Sequence, residues 1–164
     1  MRSAGRPSPA NDLKEADLSF PVNSTSVETA PCSRVATVMG RTKVGSGTTR
    51  IISYAGCYVC KQISGSSSWS QHSWGNALDL FPKPSPQRVT VQHELRAIAD
   101  AVVYQATHKT KANRLRKLEV AEVIDHDGRR IWTPSQDWHD YGGTTGAHIH
   151  VSASPLRQGT PPCA

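Results

Sequence analysis

Residues 89–107, VTVQHELRAIADAVVYQAT, bring Val91, Leu95, Ile98, Val102 and Gln105 to one side at spacings of three and four, with Ala99 and Val103 beside them. That period predicts a helix with one apolar face, the best-defined element of the chain. Elsewhere the apolar residues fall into short stretches broken by glycine and proline, which is strand and hairpin patterning. RVATVM, GRTKVGSGTT and RIISY supply such stretches between Arg34 and Tyr58. After the polar KQISGSSSWSQHSWG, read as a loop, NALDLF alternates as a short strand. LEVAEVID and RIW are strands joined by a DGRR turn, PSQDWHDYGGTTG is a long polar loop, and AHIHVSAS is the closing strand. One helix among several short strands predicts an α+β fold: a compact single domain with a small antiparallel sheet and one main helix packed on it.

A length of 164 residues suits one domain, in which about 68–70% of the unfolded surface becomes buried. Residues 1–30 are rich in Ser, Pro, Ala, Thr and Asn and predict a flexible extension, followed by a folded domain over 31–157 and a short tail over 158–164. No window approaches the roughly 20 consecutive apolar residues of a membrane span, and no signal-peptide h-region follows the first arginines. The balance of 19 Lys+Arg against 13 Asp+Glu gives +6, which favours an anionic partner without choosing one. The basic run 109–117, KTKANRLRK, has no interleaved aromatics, so it predicts a solvated loop or helix end rather than a nucleic-acid surface. Cys32, Cys57, Cys60 and Cys163 leave open disulfides, a second metal site or buried thiols, since a single CxxC lacks the paired spacing of a structural zinc site. Disulfides would require an oxidising compartment.

The chemistry lies in two segments. SQHSWGNALDL presents His72 and Asp79 seven residues apart, and AHIHV presents His148 and His150 two apart. On a strand, positions two apart share a face, so both imidazoles would lie on one side with Ile149 and Val151 facing the core. Two histidines and a carboxylate are ligand types that zinc accepts, and three protein ligands leave a fourth tetrahedral position for water. Taken singly, an HxH pair is more often a surface or core feature, and Asp79 could cap a turn.

The combination SxHxxGxAxDL, followed about 70 residues later by HxHV, resembles the LAS group of zinc metallopeptidases. That group includes D-alanyl-D-alanine carboxypeptidases, phage L-alanyl-D-glutamate endopeptidases, lysostaphin-type enzymes and the hedgehog signalling domain. SQHSWGNALDLFP is most similar to the D-alanyl-D-alanine carboxypeptidase branch, with the extensin-like and phage endolysin-like wall hydrolases near it. The resemblance covers roughly residues 50–155. It implies a hedgehog/D,D-peptidase-like fold, zinc held by His72, Asp79 and His150, and His148 beside the metal without ligating it.

Two departures from the family pattern bear on mechanism. Relatives often carry Glu or His shortly before the last ligand, but here the window is Thr145, Gly146 and Ala147, so His148 inherits the base role, with His139 or Asp140 as helpers should their loop fold back. Relatives often place Arg before the first motif to grip a substrate carboxylate. Lys61 occupies that place here, without the bidentate fork of Arg, and Ser70 joins it as a substrate-binding residue. The implied reaction is attack of a metal-activated water on a peptidoglycan stem peptide or cross-link, by a monomer acting at the bacterial cell wall, with neither nucleic acid nor membrane as partner. The alternative is a zinc-stabilised wall-binding or structural module of the same fold with weak or no turnover. A third reading, a basic nucleic-acid binder using CxxC, would show salt-sensitive binding independent of His72.

Overall fold

The computed structural model describes residues 29–44, 49–55, 57–82, 91–111, 113–162 and 164. The predicted N-terminal extension lies almost wholly outside these residues. The chain runs α1 (Ala30–Arg41), β1 (Lys43–Val44), β2 (Thr49–Ala55), a 3-10 turn (Gln71–Trp74), β3 (Ala77–Pro82), α2 (Val91–Thr107), β4 (Val120–Asp125), β5 (Arg130–Thr133), β6 (Gln136–Asp140) and β7 (Ile149–Ala153). The strands lie in the order β1-β2-β3-β7-β4-β5-β6, every pair antiparallel, so the α+β architecture expected from the sequence is present.

The last strand inserts between β3 and β4, and this placement builds the site. Leu78 pairs with Val151 and Leu80 with Ile149, and all four are buried in the apolar core. Asp79 pairs with His150 in the intervening register. Because successive side chains alternate faces, burying Leu78, Leu80, Ile149 and Val151 forces Asp79 and His150 together onto the opposite face. The core face is covered by Val35 and Met39 of α1 and by Leu95, Ile98 and Val102 of α2. The predicted helix is thus present, with its apolar stripe inward.

Two sequence expectations are corrected. RVATVM, expected as a strand, lies inside α1. Its β-branched content concealed a helical spacing: Cys32, Val35, Ala36 and Met39 stand at i, i+3, i+4 and i+7 and are all buried. Thr29 caps the helix by accepting from the Cys32 N–H, and Pro31 sits in the first turn. The second correction concerns PSQDWHDYGGTTG, where residues Gln136–Asp140 form edge strand β6 against β5. Its polarity is that of an edge exposed to water. Trp138 alone packs inward, with the Arg130 guanidinium 4.0 Å over its ring.

Cys32 and Cys57 form a disulfide across 25 residues, joining α1 to the segment that follows β2. Cys60 is disulfide-bonded as well, and the fourth cysteine, Cys163, lies outside the described residues. The basic run is a closed turn in which Thr110 bridges Arg116, and Asn113 is buried against the Arg34 side chain at 2.7 Å. No helix among the described residues is long and apolar enough to cross a membrane.

Candidate metal centre

Asp79 is the centre of the site. Its Oδ1 lies 3.2 Å from His72 Nε2 and 3.0 Å from His150 Nδ1. His148 Nε2 is 3.8 Å from the same oxygen, and Lys61 Nζ is 3.9 Å from Oδ2. One ligand atom from each of His72, Asp79 and His150 lies within 4.8 Å of the others, so the three can hold a metal ion. Ligand atoms about 2.0–2.1 Å from a tetrahedral ion stand about 3.3 Å apart, close to the two separations measured from Asp79 Oδ1. The donor set, two imidazoles and a carboxylate, fits a borderline-soft divalent cation.

Each ligand is positioned by its own element. Asp79 and His150 face each other across the β3–β7 ladder. His72 comes from the 3-10 turn, where Ser70 Oγ accepts from the His72 N–H and Gly75 ends the turn at φ 66°, the left-handed conformation that glycine adopts without steric cost. Its ring is fully buried, and His72 Nδ1 has no hydrogen-bond partner. Asn76, 1% exposed, locks this turn to the sheet: its Nδ2 donates to Ala153 O at 2.9 Å, Pro155 O at 3.0 Å and Gln71 Oε1 at 3.2 Å, while its Oδ1 accepts from Thr29 Oγ1 at 2.8 Å.

Charge and burial set the protonation states. Burial alone would raise the Asp79 pKa, but hydrogen bonds and charge from His150 and His72 outweigh it and hold the carboxyl far below the usual carboxylate range. Burial lowers the His72 pKa, against an opposing hydrogen bond to Asp79. His148 is also lowered, first by burial and then by the charges of His126, His150 and Lys61, with Asp79 opposing. Both rings therefore favour the neutral form, in which an imidazole nitrogen has a lone pair to offer.

No protein-family model, curated protein or solved structure matches this chain. The site's meaning therefore rests on its residues.

The structure brings His72, Asp79, His148, His150 and Lys61 together. Lys61 is held beside Asp79 because Ser73 Oγ accepts from the Lys61 N–H and donates to its carbonyl. Ser70, expected to meet substrate, is buried at 7% exposure and serves as the cap of the 3-10 turn. His139 and Asp140 lie on β6, three strands from β7 in the sheet order, which at about 4.8 Å per strand is about 14 Å. The segment whose folding back would have made them helpers is instead an outer strand, and the His139 ring bonds the Asp137 carbonyl at 2.9 Å.

His126 is buried and packs against the His148 ring at 4.4 Å between centroids. Its Nδ1 donates to the Thr144 carbonyl at 2.7 Å, fixing the ring under the loop that leads into β7. The signal was the strand pairing: Asp125 opposes Ile149, which sets the next residue, His126, beside His148. That register is invisible without the fold. Gly146 closes the same contact, since a Cβ there would stand 2.9 Å from the His148 ring. Trp132 is a core residue.

Proposed function

We propose that this chain is a zinc-dependent peptidase that hydrolyses peptide bonds of bacterial cell-wall peptidoglycan, as a D,D-carboxypeptidase or an endopeptidase. The observation that carries the reading is Asp79 Oδ1 set between His72 Nε2 and His150 Nδ1, with a third imidazole, His148, at 3.8 Å and outside the ligand set. Zinc bound there supplies Lewis acidity and a water whose pKa falls toward about 7.

The protein's own groups divide the remaining work. His148, kept neutral by burial, accepts a proton at Nε2 and returns it to the departing amine. His126 and Gly146 hold that ring in place. Lys61, whose side chain is half exposed beside Asp79, offers its ammonium to a substrate carboxylate. A net charge of +6 suits an anionic wall. The family resemblance of SxHxxGxAxDL and HxHV points to the same substrate class.

The test is digestion of purified peptidoglycan with zinc-loaded protein, followed by mass analysis of the fragments. Release of D-alanine, or of new amino termini at cross-links or stem peptides, is expected, and chelator or His150→Ala should abolish it. Stoichiometric zinc with no cleavage of any wall substrate would refute the enzymatic reading and leave a zinc-stabilised module.

A further inference from the structure

His150 has a second nitrogen, and what it meets is absent from every motif in the sequence. Nε2 lies 3.0 Å from Ser152 Oγ, and that hydroxyl donates to Glu122 Oε1 at 2.7 Å. We propose that Glu122 and Ser152 act as a positioning pair that sets the metal-binding tautomer of His150. The inference rests on the metal-site reading above and extends it to two residues that touch neither metal nor substrate.

The count of available protons decides the tautomer. A serine hydroxyl has one proton to give, and an ionised carboxylate can only accept. Ser152 gives its proton to Glu122, so toward His150 it can only accept, and His150 Nε2 must carry the ring's N–H. Nδ1 is then the nitrogen that exchanges the proton it shares with Asp79 Oδ1, 3.0 Å away, for a metal cation. Two acceptors at that distance repel unless a proton or a metal cation lies between them. The opposite tautomer, with Nδ1–H donating to Asp79, would require the hydroxyl to turn toward Nε2, and Glu122 would lose its donor. Glu122 therefore biases the ring toward the form that binds metal, as carboxylates behind ligating histidines do.

The backbone builds this contact deliberately. Glu122 pairs with Ser152 and Ile124 with His150, but between Val120 and Glu122 the β4–β7 register shifts by one residue. Such a bulge inserts an extra residue and re-aims the side chains on one side of it. Without the bulge, strict alternation would put Glu122 on the site face and Val120 there with it. With the bulge, Val120 is buried in the core while Glu122 still faces Ser152. Ser152 itself is fully buried, so the middle of the relay is closed to water.

The test measures zinc dissociation constants by competition with a chromogenic chelator for the wild type, Ser152→Ala, Glu122→Leu and the double variant, alongside the melting temperature of each metal-free protein. Each single variant should weaken zinc binding by about 10–100-fold. The losses should not add, because Glu122 acts through Ser152. Glu122→Leu removes the acceptor at the half-buried end of the pair and serves if Ser152→Ala fails to fold. Wild-type zinc affinity in Glu122→Leu, losses that add in the double variant, or a drop in metal-free melting temperature with unchanged affinity would each overturn the relay. A wild-type protein that binds no zinc would overturn the metal reading itself, and the relay with it.

Discussion

Asp79 Oδ1 is approached by three imidazoles, and geometry alone separates their roles: His72 and His150 stand at 3.2 and 3.0 Å, His148 at 3.8 Å. The two near rings come from different elements, one from a capped 3-10 turn and one from the facing strand. His148 lies immediately before β7, its ring tilted against those of Phe81 and His126, with about a quarter of its side chain open to solvent. A ring so placed can reach substrate without displacing a ligand. His148→Ala should therefore retain zinc while turnover falls by roughly 10²–10⁴-fold, the range for loss of a general acid–base group. The pH dependence follows from its lowered pKa. His148 stays neutral as pH falls through its ordinary value of 6.5, so the acid limb of kcat/KM should appear below that value. Zinc content and hydrolysis rate measured side by side in His148→Ala, His139→Ala and Asp140→Asn decide the assignment. Near-normal turnover in His148→Ala would show that another group is the base.

At the scale of elements, the site depends on how the 3-10 turn is docked onto β7, and Asn76 does this by donating to the Ala153 and Pro155 carbonyls at the β7 end and to the Gln71 side chain in the turn. Asn76→Ala would leave the buried carbonyl of Ala153 and the carbonyl of Pro155 without that donor and Thr29 without its acceptor, so unfolding free energy should fall by about 1–3 kcal/mol in urea titration. An unchanged midpoint would mean that the turn is held by its backbone bonds alone. The same elements show what a sequence can reveal. Asp79 and His150 were legible because alternation decides which residues of NALDLF and AHIHV share a face, whatever the neighbours. The helix over residues 91–107 was legible because its period is unbroken. α1 was missed because Val35, Thr37 and Val38 favour strands by intrinsic preference, and only packing against the sheet makes the helix win. His126 and Glu122 were hidden for a different reason. They meet the site through β4, and which strand neighbours β7 is a fact of topology that no local pattern encodes.

Across the whole molecule, two imidazoles favoured in the neutral form by burial, beside an ionised carboxylate, make stability depend on pH in a predictable sense. His72 and His148 have folded-state pKa values below their ordinary 6.5, set mainly by burial. In the unfolded chain they titrate near 6.5, so as pH falls through that value the unfolded state takes up protons that the folded state refuses. Their contribution is complete above about pH 6.5 and is lost progressively below it. Asp79 adds a second stage: its folded pKa is held far below the ordinary 3.8, so its contribution is present above that value and lost as acid protonates the unfolded carboxyl first. The metal-free protein should thus lose unfolding free energy between about pH 7 and about pH 5, before carboxylate titration begins. Zinc should steepen this loss. At a free concentration 100 times its dissociation constant it adds about 2.7 kcal/mol, and that increment disappears in acid because protons compete for the histidine lone pairs. Urea titrations of metal-free and zinc-loaded protein across this range read both effects. A flat metal-free profile from neutral to mildly acid pH would show that His72 and His148 are not held neutral by the fold, and a zinc increment that does not depend on pH would show that histidines are not its ligands.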